Sequence, residues 1–237
     1  MKPSFSVLWI FLFLAFRAGA QVVPAYQGKS PLVHDKKVYL NQISLDSNQT
    51  LVNLDGYIPH VRLDIRYATN NNFMHARMYP EARAFLRLPA ARALKNIAME
   101  LSAEGIGLVI YDAYRPYSIT VQFYKKVMDS AFVASPRNGS KHNRGCAVDL
   151  GLYSLKTGEI LEMPTGFDSF SKEAAAHYSG ASPRALKDRE LLANTMEKYG
   201  FETIATEWWH FDYKAWRLYP VMDISFSELH KIKHKIQ

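Results

Sequence analysis

The sequence predicts an α+β fold, in which a small and mostly antiparallel sheet is flanked by helices. Helical and strand-like segments are mixed along the chain, without the regular strand–helix alternation of a parallel sheet. The 237 residues are 48% hydrophobic and include 12 glycines and 11 prolines, a globular composition that excludes a disordered or collagen-like chain. Because no internal repeat or linker interrupts this pattern, we expect a single domain over residues 21–237.

The first half of this domain contains one weakly patterned segment, one strand and one helix. Residues 21–55 are polar with no firm periodicity, and we expect them to form an extended segment that wraps the domain. Residues 61–67 alternate apolar and charged side chains, which is typical of a half-buried strand. A helix is predicted between Pro89 and Gly105, because apolar residues between them follow the i, i+3, i+4, i+7 spacing.

The second half continues with elements of the same kinds. Short apolar or aromatic runs predict three strands, within residues 107–113, 147–150 and 201–213. Two further amphipathic patterns predict helices, one beginning at Pro116 and one ending at Gly200. Residues 135–144 have the composition of a loop, and residues 156–159 that of a hairpin turn.

The first 20 residues have the pattern of a secretory signal peptide. Lys2 supplies a positive start, residues 7–16 are an uninterrupted apolar run, and residues 18–20 are the small residues Ala-Gly-Ala. The apolar run is too short to span a bilayer, so we favour a cleaved signal over an uncleaved membrane anchor. We therefore expect an exported chain that is located in the periplasm and has no membrane attachment after cleavage.

The cysteine and charge content argue against a disulfide-bonded protein and against a nucleic-acid-binding protein. Cys146 is the only cysteine, so no intrachain disulfide can form, and we expect a small buried side chain there. The formal charge is +7, but the only basic cluster is the C-terminal segment 230–235, which fits a solvated end. An exported chain with this distribution is a poor candidate for nucleic-acid binding. The sequence does not indicate an oligomeric state.

Three residues far apart in the sequence could together hold a catalytic zinc ion. Such a site uses three nitrogen or oxygen ligands and keeps a fourth position open. His142 and Asp149 could supply two ligands, if a turn at Gly145 folds the first back onto the strand of the second, and His210 could supply the third. A histidine and an aspartate seven residues apart occur easily by chance, so this pair alone also fits a structural role.

Glu207 and Arg115 could supply the remaining chemistry of a hydrolase. Glu207 lies three residues before His210, and in an ideal strand the two would face opposite sides. We therefore predict a bulge or bend near Trp208 and Trp209, which would let Glu207 take a proton from a water bound to the metal. Arg115, at a strand–helix junction, could stabilise the oxyanion of a tetrahedral intermediate or form a surface ion pair.

Three motifs occur in a fixed order along the chain. They are Tyr-Arg-Pro at residues 114–116, Ser-x-His-x-x-Gly-x-Ala-x-Asp at residues 140–149, and Glu-Trp-Trp-His at residues 207–210. This combination resembles the D-alanyl-D-alanine dipeptidases, the VanX-like family of zinc peptidases. The resemblance implies a small sheet with helices around a central zinc site, and hydrolysis of the dipeptide D-Ala-D-Ala to two D-alanines.

The same resemblance implies roles for the residues of the hydrolytic site. His142, Asp149 and His210 would be the ligands of one Zn²⁺ ion per chain. Glu207 would be the catalytic base and would later return its proton to the leaving amine. Arg115 would stabilise the transition state.

Three further residues are implied to bind the substrate. Tyr67 and Asp168 match the family positions near the free ammonium of the dipeptide, and Ser140 matches a position near its carboxylate. A dipeptide offers little binding area, so selection must depend on these charged ends. One alternative is a zinc D,D-carboxypeptidase that trims longer stem peptides and needs no ammonium site. A second is a non-catalytic zinc domain that binds wall fragments and needs neither Glu207 nor Arg115.

Overall fold

The structure is a computed structural model that describes residues 23–130 and 133–232. The predicted signal peptide, residues 1–20, and the last part of the basic C-terminal segment lie outside the described residues. Within the described ranges, no helix combines the length and the apolar character that crossing a membrane would need.

The described residues form seven strands and five α-helices. The strands are β1 (Leu51–Asn53), β2 (Val61–Leu63), β3 (Phe85–Arg87), β4 (Ile106–Asp112), β5 (Ala147–Ser154), β6 (Phe201–Ile204) and β7 (Glu207–Tyr213). The helices are α1 (Lys36–Leu45), α2 (Leu88–Ala103), α3 (Tyr117–Val127), α4 (Pro183–Lys198) and α5 (Phe226–Lys231).

Five of the strands form one sheet in the order β2-β4-β5-β7-β6, while β1 and β3 pair in a separate antiparallel ladder. Within the five-stranded sheet β2 and β4 run parallel, and the other three pairings are antiparallel. The prediction of an α+β fold with a mostly antiparallel sheet is therefore confirmed.

The helices that were predicted from apolar spacing are present. Helix α2 has a proline in its first turn and buries Leu94, Ile97 and Leu101 along one face. Helix α4 ends just before Gly200, whose φ of +86° is a conformation that glycine adopts at little cost. Helix α2 packs on β4, and α4 packs on β5, β6 and β7, so the two helices bury the apolar side chains of the sheet.

The prediction of an extended segment over residues 21–55 is wrong, because α1 and β1 lie within it. The Asp35 side chain caps α1 by accepting a hydrogen bond from the backbone N–H of Lys37 at 2.6 Å. Tyr39 is fully buried, and its hydroxyl accepts a 2.7 Å hydrogen bond from the N–H of Leu51. Tyr39 is the only buried residue of this helix, and Ile43 is the partly buried residue beside it, so the apolar pattern in the sequence is weak.

The strand predicted over residues 61–67 is shorter than expected. β2 ends at Leu63, and the chain then forms a 3-10 turn at residues 66–68. β2 is at the edge of the five-stranded sheet, where it pairs with β4. The chain leaves this edge after Leu63, which brings the side chain of Tyr67 into the interior, where it is 2% exposed. This turn delivers one of the predicted substrate-binding residues to the site.

The sheet aligns a row of polar residues across three strands. Asp112 of β4 is the register partner of Asp149 in β5, which in turn is the partner of His210 in β7. Residues directly opposite one another on neighbouring strands project to the same face. Val148 and Leu150 flank Asp149 and are fully buried in the apolar core, so the polar row lies on the other face.

Candidate metal centre and active site

His142, Asp149 and His210 converge on one point. The Nδ1 atom of His210 lies 3.0 Å from Oδ1 of Asp149 and 3.2 Å from Nε2 of His142. The Asp149 oxygen and the His142 nitrogen are 3.4 Å apart, so the three atoms form a triangle. Tetrahedral ligands at zinc–nitrogen distances of about 2.0–2.1 Å would be spaced by about 3.3 Å. All three side chains are buried, and they are the only group of this kind within the described ranges. The donor set therefore fits a divalent metal ion such as zinc.

The outer nitrogen of each imidazole has its own partner, which leaves the inner nitrogen free for a metal. His142 Nδ1 lies 2.7 Å from the carbonyl oxygen of Ala113, and His210 Nε2 lies 2.9 Å from Oδ1 of Asp212. Because both acceptors need a proton on the outer nitrogen, they select the tautomer whose lone pair faces the triangle.

A left-handed turn brings His142 to the triangle. His142 begins a 3-10 turn that ends at Gly145, where φ is +68°. A Cβ atom at this glycine would overlap Cδ2 of Leu51, so both the backbone conformation and the close approach favour glycine. The predicted turn between the two ligands His142 and Asp149 is thus present.

The electrostatics of the triangle favour a positive charge at its centre. Burial alone would raise the pKa of Asp149, but the imidazoles of His142 and His210 hold it well below its usual range. Burial would lower the pKa of His210, yet its hydrogen bonds to the carboxylates of Asp149 and Asp212, and the negative charge of both, outweigh burial and raise this pKa to about 10. A divalent cation bound at the triangle would replace the proton that His210 otherwise holds, and would supply the positive charge in its place.

Glu207 stands beside the triangle because β7 contains the predicted bulge. Thr203 of β6 pairs with Phe211, whereas the next residue of β6 pairs with Glu207, so residues 208–210 have no register partner in β6. This irregularity brings Oε2 of Glu207 to 3.8 Å from Nδ1 of His210. Burial raises the pKa of Glu207, which suits a group that accepts and then returns a proton.

Arg115 is fixed by Asp112, a residue that the sequence analysis did not identify. Oδ2 of Asp112 accepts hydrogen bonds from Nε and Nη2 of Arg115 at 3.0 and 2.7 Å. The guanidinium carbon lies 4.7 Å from the ring centre of Phe123. Arg115 is only 8% exposed, so the alternative of a surface ion pair is wrong. The ion pair is real, but it is buried and holds the cation at the site.

Tyr67 and Asp168 form the end of the site at which an ammonium group is expected. The Tyr67 hydroxyl lies 2.8 and 3.0 Å from the two carboxylate oxygens of Asp168. Loss of solvent is the main reason that the pKa of Asp168 rises to about 8, and repulsion from Asp149 adds to it. A cationic partner beside the carboxyl group would relieve both effects.

Ser140 lies on the turn that carries His142. It is buried, and Asn143 holds it twice, with Asn143 Oδ1 accepting from the Ser140 N–H at 2.7 Å and the Ser140 hydroxyl accepting from the Asn143 N–H at 3.2 Å. The side-chain amide of Asn143 also donates to the carbonyl oxygen of Arg115 at 2.8 Å. Asn143 therefore joins the His142 turn to the Arg115 loop.

One cavity of about 320 Å³ is lined by all eight residues that were predicted for the site. They are Tyr67, Arg115, Ser140, His142, Asp149, Asp168, Glu207 and His210. This volume is at the small end of the range for ligand sites. Cys146 does not line the cavity and is fully buried, as predicted, and burial raises the pKa of its thiol to about 12.

Sequence reasoning missed residues that support the site without belonging to a motif. Asp112 and Asp212 are buried carboxylates that contact Arg115 and His210. One signal was available for Asp212, because it follows His210 by two residues in a strand and such residues share a face. Phe73 lines the cavity wall as a member of an aromatic cluster, and it lies in the segment after Tyr67 that the family resemblance includes.

The comparisons with known proteins were consistent with one another. The family described as D-Ala-D-Ala dipeptidase (Peptidase_M15) matches residues 47–228. The D-alanyl-D-alanine dipeptidase of Escherichia coli (strain K12) is 34% identical over 177 residues, which cover 75% of this chain and 91% of that protein. The protein of the same name from Enterococcus faecalis (strain ATCC 700802 / V583) is 30% identical over 181 residues, covering 67% of this chain and 88% of that protein.

Similarity to solved structures is more distant. The vancomycin resistance D,D-dipeptidase VanXYg, in complex with a D-Ala-D-Ala phosphinate analog, matches with a TM-score of 0.36 and 19% identity. This match covers 70% of this chain and 66% of that chain. The family match spans more than three quarters of the 237 residues, and on that basis the chain belongs to the Peptidase_M15 family of D-Ala-D-Ala dipeptidases.

Proposed function

We propose that this chain hydrolyses D-Ala-D-Ala to two D-alanines, using one Zn²⁺ ion held by His142, Asp149 and His210. The observation that carries the proposal is that the metal-ligand triangle and the Tyr67–Asp168 pair line the same small cavity. Family membership and the names of the relatives support the same reaction. When bound, zinc would polarise the peptide carbonyl and make water a stronger nucleophile at neutral pH.

Glu207 handles the protons of this reaction. As the water oxygen attacks the peptide carbonyl carbon, the Glu207 carboxylate takes one of the water protons. When the carbon–nitrogen bond breaks, the same carboxyl group gives that proton to the leaving amine. Its position 3.8 Å from a ligand nitrogen and its raised pKa support this role.

Arg115 stabilises the negative charge that develops on the carbonyl oxygen. Its guanidinium is buried at the cavity wall, and Asp112 fixes its orientation before substrate arrives. A fixed cation in a site with little water stabilises a developing oxyanion more than a mobile surface cation would.

Recognition of the dipeptide depends on its two ends. The ammonium group would bind Asp168, whose carboxyl has no other cationic partner in direct contact within the described residues, and the Tyr67 hydroxyl would contact it from the side. Ser140 would donate its hydroxyl to the substrate carboxylate. An N-acylated peptide carries no ammonium group and would leave the Asp168 carboxyl unpaired in the cavity.

We expect N-acetyl-D-Ala-D-Ala to be hydrolysed with a kcat/KM at least about 100-fold below that of D-Ala-D-Ala, because a buried polar group loses its partner. Steady-state kinetics on the two substrates measure this ratio. Asp168→Asn should lower kcat/KM for D-Ala-D-Ala more than for the N-acetylated peptide, and so reduce the ratio of the two values. Asp55→Asn, which changes an exposed aspartate, should leave this ratio unchanged. Equal turnover of both substrates would contradict a dipeptidase and favour the D,D-carboxypeptidase alternative.

We further propose that the chain is exported to the periplasm and cleaved after Ala20. The support is the sequence pattern of a positive start, a short apolar run and small residues at the cleavage site. N-terminal sequencing of the protein from a periplasmic fraction should give a chain that begins at Gln21. A membrane-bound chain that retains its first residues would contradict this proposal and favour the uncleaved anchor.

A further inference from the structure

An ion pair connects the two chain segments that carry the histidine ligands. Lys141 immediately precedes His142, and Asp212 follows His210 by two residues on the same face of β7. The Lys141 ammonium lies 3.0 Å from Oδ2 of Asp212, and the other oxygen of this carboxylate lies 2.9 Å from Nε2 of His210. The carboxylate therefore contacts one partner with each oxygen.

Both Asp212 and Lys141 have further contacts that restrict their positions. The backbone of Asp212 is in register with Ala147 on one side and Glu202 on the other, so its strand lies between two neighbours. The side chain of Asp212 is almost fully buried, and the Lys141 ammonium lies 5.5 Å from the ring centre of Trp216. A rigid carboxylate can set the orientation of an imidazole that it contacts.

The two histidines are supported in different ways. The outer nitrogen of His142 is hydrogen-bonded to a neutral acceptor, the carbonyl oxygen of Ala113, and the nearest carboxylate oxygen, from Asp112, is 3.8 Å away. The outer nitrogen of His210 is instead hydrogen-bonded directly to the ionised carboxylate of Asp212. A carboxylate behind an imidazole makes its metal-binding nitrogen more basic and fixes the ring orientation. A substitution of Asp212 can therefore remove the negative charge next to His210 while all three metal ligands stay in place.

We propose that Asp212 and Lys141 are positioning residues for the metal centre. Asp212 holds His210 in the tautomer whose Nδ1 faces the triangle, and Lys141 holds Asp212 while joining the His142 turn to β7. The inference rests on the metal site of the proposed function. It adds two residues that lie outside the ligand triangle and act through His210, although Lys141 also lines the cavity.

The test measures zinc binding to the purified metal-free protein, by competition with a chromophoric chelator. Asp212→Asn preserves the shape of the side chain but removes its charge, and we expect zinc affinity to fall about 10- to 100-fold. The visible absorption spectrum of the cobalt-substituted protein should also change, because the ligand field of His210 changes. Unchanged zinc affinity together with an unchanged cobalt spectrum in Asp212→Asn would overturn the proposal.

Lys141 is tested by a pair of substitutions. Lys141→Met should weaken zinc binding by about two- to five-fold, as expected for a partly exposed ion pair, and Lys141→Arg should restore most of the affinity. In the Asp212→Asn background, Lys141→Met should cause little further loss, because its partner charge is already absent. Fully additive losses would overturn the claim that Lys141 acts through Asp212.

A matched control removes a remote ion pair by the same chemistry. Lys198 and Glu100 lie 2.6 Å apart on the surface, and Lys198→Met should leave zinc affinity unchanged. Circular dichroism establishes that each variant is folded. If Asp212→Asn does not fold, the Lys141→Met and Lys141→Arg pair still decides the proposal, since equal zinc affinity in parent and Lys141→Met would overturn it.

The readout separates this inference from the proposed function. Zinc affinity is measured without substrate, so weakened binding in Asp212→Asn supports the positioning role even if the parent fails to hydrolyse D-Ala-D-Ala. Conversely, a parent that hydrolyses the dipeptide while Asp212→Asn keeps both zinc affinity and cobalt spectrum would retain the function and reject the positioning role.

Discussion

Replacement of Glu207 by glutamine should lower kcat for D-Ala-D-Ala by about 10²- to 10⁴-fold while zinc stays bound. Glutamine has nearly the same shape but can neither take a proton from water nor return one to the leaving amine. Glu207 is not among the three residues whose donor atoms form the triangle, so the metal should be retained.

The Glu207→Gln experiment combines steady-state kinetics with metal analysis of the same preparation. Glu202→Gln is the matched control, because Glu202 is an exposed acid on the neighbouring strand β6 and should keep full activity. If Glu207→Gln retained more than about a tenth of the parental kcat, another group would have to be the base. Loss of zinc together with activity would instead identify Glu207 as a ligand.

Replacement of His142 by alanine should remove both zinc binding and turnover. The substitution deletes one corner of a triangle whose edges are 3.0 to 3.4 Å, and two remaining donors do not complete a protein zinc site. The loss of affinity should exceed the about 10- to 100-fold effect that is expected for a group behind a ligand. Activity should fall to the level of the chelated parent.

Zinc content after dialysis and activity before and after chelation test this second prediction. His177→Ala provides the control, since His177 is exposed and lies outside the cavity. A zinc content near one ion per chain in His142→Ala would reject the ligand assignment. Full activity in a chelated parent would reject the metal-dependent reaction as a whole.

The site was predictable to the extent that its residues occur in short motifs. The spacing of His142, Gly145 and Asp149 encodes a turn and the start of a strand, and both are present. The three-residue spacing of Glu207 and His210 conflicts with strand alternation, and this conflict correctly predicted the bulge in β7.

The features that the sequence did not predict depend on single contacts between particular side chains. Helix α1 is held by the burial of Tyr39, and its apolar spacing is too weak to be recognised. Asp112 and Asp212 lie in strands that otherwise look like ordinary sheet, and their roles become visible only when Arg115 and His210 are placed against them. Both pairs are close in the sequence, with Asp112 three residues before Arg115 and Asp212 two residues after His210, but single pairs of this kind form no period that a sequence pattern could show.

The two hydrogen bonds that Arg115 donates to Asp112 reduce the entropy that is lost when a small substrate binds. An arginine side chain that became ordered only on binding would lose rotamer freedom worth roughly 2 kcal/mol at that moment. Here that entropy is lost during folding, because the guanidinium is already bonded at 2.7 and 3.0 Å within the free protein. The binding free energy from the few contacts of a dipeptide is therefore not used to order Arg115, and it can serve to position the reacting carbonyl.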